Sequence, residues 1–537
     1  MSRSAYGPAA LPLPPVARPD RAARAPRAGL FVRLRTGDRY LQFVTVCAAI
    51  LSLGSFAYFY AQGVTVAYRD AGSRLMIARR TAELGFGQLG GVWLPLHEVT
   101  MLPLVWNDFF YRTGLAGTVV SMFSYVLTGI LLYKTVLLLT GERGAGALGA
   151  SAFLLNPNIL YMQTTPMSEL LLFLLMAATA YAFIAWAQDP SQVRYLCAGA
   201  FAISLASLTR YESWGLLPVM AVLVGYVCVR NRFDKDKIEA YLITFGLLSG
   251  YGIVLWLLWN LTIFGNAFYF QNSEYATPAN WVSSQDRAVG DGLISLKTYG
   301  YATLNTIGLP LLCLAALGLV AFLAATRLSA KGMGALTLLF PFPFFVVMLY
   351  LGQRPLYVTE IMGDLYNVRF GLTMILPVAI FCGYLSKGRG WRKAIVGVGI
   401  GVGLVWTLGT YGIVTLREPI DDRAIDPIEE ETARWLAANY DDEPMLMENF
   451  GNEPVAFESA LPLRHVIYEG SLRQWEQTLL DPASHVAWIY MRDNGAGGGR
   501  DKVWSALHDD MQSSRDFVLV YKNNHIEIYK KQLAATR

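Results

Sequence analysis

Apolar runs of bilayer-spanning length recur from Leu41 onward, at 41–63, 117–140, 144–162, 167–188, 195–208, 214–229, 239–263, 301–326, 334–352, 370–386 and 394–416. A spanning helix takes about 20 predominantly apolar residues, so the pattern predicts a polytopic α-helical membrane protein with about 11 transmembrane helices, the fifth of them short. Residues 1–40 hold eight Arg, no Lys and two Asp, and they lack a long apolar run. Such a segment buries too little apolar surface to fold and reads as a disordered basic tail, and its apolar run begins too late for a cleavable signal peptide.

After the last run the pattern changes to short apolar strands alternating with amphipathic stretches. Strands are expected at Met445–Glu448, His465–Tyr468, His485–Met491, Phe517–Tyr521 and His525–Tyr529, and helices at Glu429–Tyr440, Leu472–Leu480 and Asp501–Asp510. Residues 417–537 therefore read as a small α/β domain, with residues 41–416 as the membrane unit. The glycine-rich run Asn494–Gly499 has no Lys-Ser/Thr after it and reads as a flexible loop rather than a phosphate cradle.

Charge sharpens the division. The chain has 537 residues, 54% hydrophobic and 16% charged, too few charges for a soluble cytosolic enzyme. Its net charge of +4 is the sum of +14 over residues 1–417 and −10 over 418–537, where 22 acids face 12 bases. Basic residues resist translocation. With the Arg-rich tail inside, the linkers Arg230–Lys237, Thr326–Lys331 and Lys387–Lys393 also fall inside. The long segments 64–116, 264–300 and 353–369, and the C-terminal block, then face out.

The span centres are empty of Asp, Glu, Arg and His; Lys134 lies toward the inner end of its span, where it can snorkel. That argues against a proton-driven transporter, since intramembrane ionisable residues normally mark such pathways. All five cysteines fall in apolar runs, so the outer domain has neither a disulfide framework nor a cysteine zinc site. Four of the five histidines lie in that domain without ligand spacing.

The polar residues of interest gather at the outer ends of spans. Tyr68-Arg69-Asp70 opens a stretch in which Leu75, Met76, Ile77 and Ala78 interleave with Arg at helical spacing, as in a helix lying in the membrane interface. Asp70 is either a first-turn acid favoured by the helix dipole or a carboxylate able to take a proton from an acceptor hydroxyl. His97 and Glu98 are substrate-binding candidates or a hydrogen-bonded interface pair. Glu169, after Asn156-Pro157 and Thr165-Pro166, and Glu212, after Thr209-Arg210-Tyr211, either bind substrate or pair locally. Arg369, in Tyr366-Asn367-Val368-Arg369, either grips a lipid phosphate or anchors its helix to headgroups. The aromatic and amide-rich segment 264–300 suits a loop over a sugar or an ordinary interfacial loop.

This ordered set resembles the GT-C superfamily of membrane glycosyltransferases, which includes protein O-mannosyltransferases and aminoarabinose transferases. The likeness spans most of residues 41–417 and rests on Tyr68-Arg69-Asp70, Asn156-Pro157, Thr165-Pro166-Met167-Ser168-Glu169, Thr209-Arg210-Tyr211-Glu212, Ile263–Phe268 and Asn367–Gly371. The resemblance implies sugar transfer, with inversion, from a polyprenyl-phosphate donor to an envelope glycan, glycolipid or protein on the extracytoplasmic face of a bacterial plasma membrane. It implies Asp70 as the general base. O-mannosyltransferases carry an adjacent Asp-Glu pair, whereas Asp70 is flanked by Arg69 and Ala71, so Asp108 and Glu169 are candidates for a second carboxylate. Arg210 and Arg369 are the expected partners of the donor phosphate, with His97, Glu98, Tyr211, Glu212, Tyr366 and Asn367 around the substrates. Some members of the superfamily use a divalent metal and others do not. The rival readings are a lipid-linked-saccharide flippase, which would show inverted repeats or a polar pathway, and a non-catalytic assembly protein.

Overall fold

The computed structural model describes residues 37–278, 282, 286–327, 329–421, 426–494 and 499–532. The basic tail up to residue 36 and most of the glycine-rich loop, 495–498, lie outside the described residues.

Among the described residues nine helices are long and apolar enough to cross a membrane: Arg39–Ala61, Leu115–Thr140, Glu169–Gln188, Glu212–Arg230, Lys235–Phe264, Leu309–Thr326, Gly332–Tyr350, Val368–Leu385 and Gly390–Asp421. The shortest expected run, 195–208, is the 15-residue helix Val193–Ser207. The run 144–162 divides into Arg143–Leu154 and Pro157–Met162. The break is chemical: the Asn156 side chain accepts hydrogen bonds from the N–H groups of Asn158 and Ile159, at 3.0 and 3.1 Å, and caps a new helix whose first residue is Pro157.

The C-terminal region forms one five-stranded sheet, in the order β2-β1-β3-β5-β4, from β1 Met445–Leu446, β2 Val466–Ile467, β3 Trp488–Arg492, β4 Phe517–Lys522 and β5 Ile526–Lys531. β1 runs parallel to β2 and β3, and β5 lies antiparallel between β3 and β4. The helices Pro427–Asn439, Arg473–Leu480 and Lys502–Ser513 stand near their expected positions. An Asp426–Glu429 capping box starts the first of them.

Strand alternation sends the sheet's side chains to two separate cores. Leu446, Ile489, Met491 and Tyr529 pack with Trp475, Val503 and Leu507 of the covering helices. On the other face Met445, Trp488, Tyr490, Ile526 and Ile528 share a core with Leu75, Met76 and Ala78 of the helix Arg69–Leu84, and with Met101 and Val105 of Leu96–Val105. The helix that begins beside Asp70 is thus buried against the sheet instead of lying in a lipid interface, because the sheet takes up its apolar side chains.

Candidate active site

Asp70, Glu169 and Glu212 occupy the same kind of position: each lies in the first turn of its helix, Arg69–Leu84, Glu169–Gln188 and Glu212–Arg230. A helix N-terminus carries partial positive charge and favours an acid there. Two arginines link these three ends. Arg369 is buried at the start of the tight helical stretch Val368–Met374, after Asn367 in the left-handed conformation at φ 54°. Its Nη2 donates to Asp70 Oδ2 at 2.5 Å, its Nε to Glu169 Oε1 at 3.0 Å and its Nη1 to Glu418 Oε1 at 2.9 Å. Arg210 donates to the same Glu169 Oε1 at 2.8 Å and, through Nε, to Glu212 at 2.9 Å.

The result is one continuous charge-assisted network, Asp70–Arg369–Glu169–Arg210–Glu212, with Glu418 as a branch. Four carboxylates meet two guanidiniums. Arg369 also lies 4.7 Å above the Tyr68 ring, and Arg210 lies 5.0 Å from that of Phe370. The Asp70 side chain is 33% exposed, whereas Arg369, Glu169, Glu418, Glu212 and Arg210 range from 2 to 13%. Asp70 is the member of the network that reaches outward.

Glu418 was not anticipated. It stands in the short helix Val414–Asp421, just past the last apolar run, and resembled the first acid of the acidic tail. Its place at the outer end of a span, like those of Glu169 and Glu212, was the available signal. The backbone N–H of Asn367 also donates to Glu418, at 2.9 Å. Asn158 fixes the helix that carries Glu418: its side-chain oxygen accepts from the Thr415 N–H and hydroxyl, at 3.1 and 3.0 Å, while its amide donates to the Thr306 carbonyl. Tyr68 adds a hydroxyl bond to the Thr415 carbonyl, and burial pushes that phenol's pKa up, so it stays neutral.

The remaining candidates have other partners. Glu98 forms a buried ion pair with Arg74, whose guanidinium covers Trp93 at 4.3 Å. His97 is fully buried with Nε2 donating to the Pro166 carbonyl at 2.9 Å. Burial, reinforced by Arg74, lowers its pKa to about 3, so it is neutral. Tyr211 donates to the Val92 carbonyl at 3.1 Å and stacks on Phe270 at 5.3 Å, and Arg354 lies 5.4 Å from its ring. Tyr366 forms a backbone bridge with Tyr357, and Asn367 donates to the Pro355 carbonyl at 3.0 Å. Asp108 stands apart: it is 70% exposed and pairs with Arg79 at 2.9 Å. In segment 264–300, Tyr275 donates to Glu448 at 3.1 Å and packs on Phe450, joining this segment to the sheet region.

Among the described residues no group of three or more His, Cys, Asp or Glu is arranged to hold a metal. Asp70, Glu169 and Glu418 converge on a guanidinium instead.

The family described as dolichyl-phosphate-mannose-protein mannosyltransferase matches residues 107–259. No curated protein matches the chain. Among solved structures, the chain is similar to ArnT from Cupriavidus metallidurans bound to undecaprenyl phosphate, at 12% identity and TM-score 0.58, over 90% of this chain and 98% of that one. It is also similar to the Archaeoglobus fulgidus oligosaccharyltransferase, at 10% identity and TM-score 0.52, over 84% of this chain and 70% of that one. The archaeal oligosaccharyltransferase AglB from the same organism, in complex with an inhibitory peptide and a dolichol-phosphate, aligns at 9% identity and TM-score 0.51, over 84% and 69%. With these spans and this architecture, the chain is a multi-pass membrane protein with a GT-C-like fold.

Proposed function

We propose that the protein transfers a sugar from a polyprenyl-phosphate donor to a hydroxyl-bearing acceptor, an envelope glycan, glycolipid or protein, on the extracytoplasmic face of a bacterial plasma membrane. The observation that carries this reading is the exposure of Asp70 at the edge of an otherwise buried network of arginines and helix N-termini. In the reaction, Asp70 takes the proton of the acceptor hydroxyl and the acceptor oxygen attacks the anomeric carbon. The bond from that carbon to the phosphate oxygen breaks on the opposite side, with inversion. Negative charge then grows on the departing lipid phosphate, where Arg369, Arg210 and the positive ends of three helices can offset it.

The four carboxylates hold the two arginines in place before substrate arrives. When acceptor binds, Asp70 exchanges its bond to Arg369 for one to the acceptor hydroxyl, and Arg369 keeps Glu169 and Glu418. Glu169, one guanidinium away from Asp70, suits the second carboxylate better than Asp108, which binds Arg79. The neighbouring structures with undecaprenyl phosphate and dolichol-phosphate support a lipid-phosphate donor. Residues 417–537 would lie outside the membrane, packed on the helix that begins at Asp70, with the basic N-terminal tail in the cytoplasm.

Asp70→Asn keeps the shape and removes the base. Transfer from a radiolabelled polyprenyl-phosphate sugar should fall by about 10²- to 10⁴-fold, with the melting temperature little changed. Undiminished transfer would refute the role of Asp70.

A further inference from the structure

At the end of the bundle opposite Arg369 the surface has another character. The span Val368–Leu385 is 18 residues, roughly 27 Å of helix, and it carries the chain from the buried network to the basic segment Lys387-Gly388-Arg389-Gly390-Trp391-Arg392-Lys393. This segment leads into the helix Gly390–Thr410, which packs antiparallel against Leu309–Thr326. The two approach closely at glycines: a Cβ built on Gly399 would lie 2.5 Å from Leu314, and one on Gly403 would lie 2.9 Å from Leu311.

Between the two helices runs an open groove of about 450 Å³ lined by apolar side chains, among them Cys313, Leu314, Leu317, Ile395, Val398 and Val402. Leu317, Ile395, Val398 and Val402 are exposed, so the groove opens away from the protein core. It extends over Ala394–Val402, about 12 Å along the axis. Hydrocarbon is the medium at this depth of a spanning bundle.

The end of the groove near Ala394 is cationic. Arg389 and Arg392 precede it by a few residues and are exposed. Arg327, also exposed, closes the neighbouring helix at the same end, in the left-handed conformation at φ 45°. Among the described residues no carboxylate pairs with these three arginines. The nearby acid Glu142 is bound to Lys393 at 2.6 Å. Trp391, 55% exposed, suits the headgroup level.

We propose that this groove and its arginines form a binding site for an anionic phospholipid of the surrounding bilayer, with an acyl chain along Leu317, Val398 and Val402 and the phosphate among Arg327, Arg389 and Arg392. The two halves of the argument are independent, since the helix packing makes the apolar slot and the loop sequence makes the charge. A zwitterionic lipid would fit the slot and gain little from the cations, whereas each basic residue at a membrane surface favours an anionic lipid. The site lies one membrane thickness from Asp70 and does not depend on the transferase reading.

The test uses the full chain in nanodiscs of equal phosphatidylglycerol and phosphatidylcholine, followed by native mass spectrometry of the retained lipid. The wild type should retain phosphatidylglycerol in preference. The triple variant Arg327→Gln, Arg389→Gln, Arg392→Gln should lower that preference by at least about tenfold. Leu317→Trp, which fills the slot, should lower retention of both lipids. A measurement that needs no groove variant is alkylation of the exposed Cys313 by an apolar maleimide, which phosphatidylglycerol should slow more than phosphatidylcholine does. Equal retention of the two lipids by the wild type, unchanged preference in the triple variant, equal protection of Cys313, or preferential retention of a polyprenyl phosphate would overturn the proposal.

Discussion

The two ends of the helical bundle use arginine in opposite ways. Near Asp70, Arg369 is buried, covered by an aromatic face and committed to three carboxylates. At the far end Arg327, Arg389 and Arg392 are exposed and bind no acid among the described residues. Burial makes the difference. A cation out of water must be hydrogen-bonded to acids in fixed geometry, so it becomes part of an assembled site. A cation in water keeps its hydration and acts on its surroundings through a screened field, which suits a headgroup that comes and goes.

Substitutions at both ends can break or sharpen this contrast. Arg369→Met should have the largest effect, because it leaves Asp70, Glu169 and Glu418 facing one another. A loss of about 3–5 kcal/mol is expected, read as a lowered thermal midpoint in detergent together with loss of sugar transfer. A midpoint near the wild type would mean that the network is not structural.

Next comes the joint between the helix Arg69–Leu84 and the sheet. Leu75→Ala empties a fully buried position in the shared core and should cost about 2–5 kcal/mol. Limited proteolysis should then release the C-terminal region more readily. A protease-resistant variant would mean that the sheet is held elsewhere.

A smaller effect concerns pH. Glu469 accepts the N–H groups of Asn449 and Phe450, at 2.7 and 2.9 Å, yet burial outweighs them and raises its pKa to about 7. Glu453 and Asp501 are also raised to about 7 by burial. A carboxyl whose pKa is higher in the folded state stabilises the fold in its neutral form. That contribution is complete below the ordinary carboxylate range and is lost as pH rises through about 7. The melting temperature should therefore fall between pH 5 and pH 8, and Glu469→Gln should make the fall shallower by a few degrees. A slope unaffected by the substitution would remove Glu469 from this account.

The smallest effect belongs to the far end. Glu142 and Lys393 pair at 2.6 Å, with side chains 32% and 31% exposed, so Glu142→Gln should cost less than about 1 kcal/mol. A loss as large as that of Arg369→Met would erase the distinction between the ends.

The apolar periodicity was enough to place most of the spans and all five strands, because a lipid-facing or sheet-buried residue writes its environment into its type. The gathering of Asp70, Arg210, Glu169 and Arg369 was also legible, from charges placed at span ends rather than within spans. Pro157 marks a break in the third apolar run, but the pattern did not show that a new short helix starts there. Asn156 and Pro157 interrupt 144–162 through a cap, and hydropathy averages over a single Asn. Glu418 was hidden for a related reason. Its helix is set by Asn158 and Thr415, a contact between residues 257 apart in the chain that no local pattern encodes. The burial of the Arg69–Leu84 helix was missed because an amphipathic stretch looks alike whether its apolar face meets lipid or a sheet.

That burial bears on how the molecule assembles. Leu75 and Met76 precede eight of the nine spans, while their core partners Ile526 and Ile528 lie 450 residues or more further along the chain. A contact so distant in sequence closes late. The segment bearing Asp70 must wait through the insertion of every later span before its support arrives. Without β5 the membrane helices and Arg369 would be in place, while the helix that begins beside Asp70 would still lack the sheet that covers its apolar face.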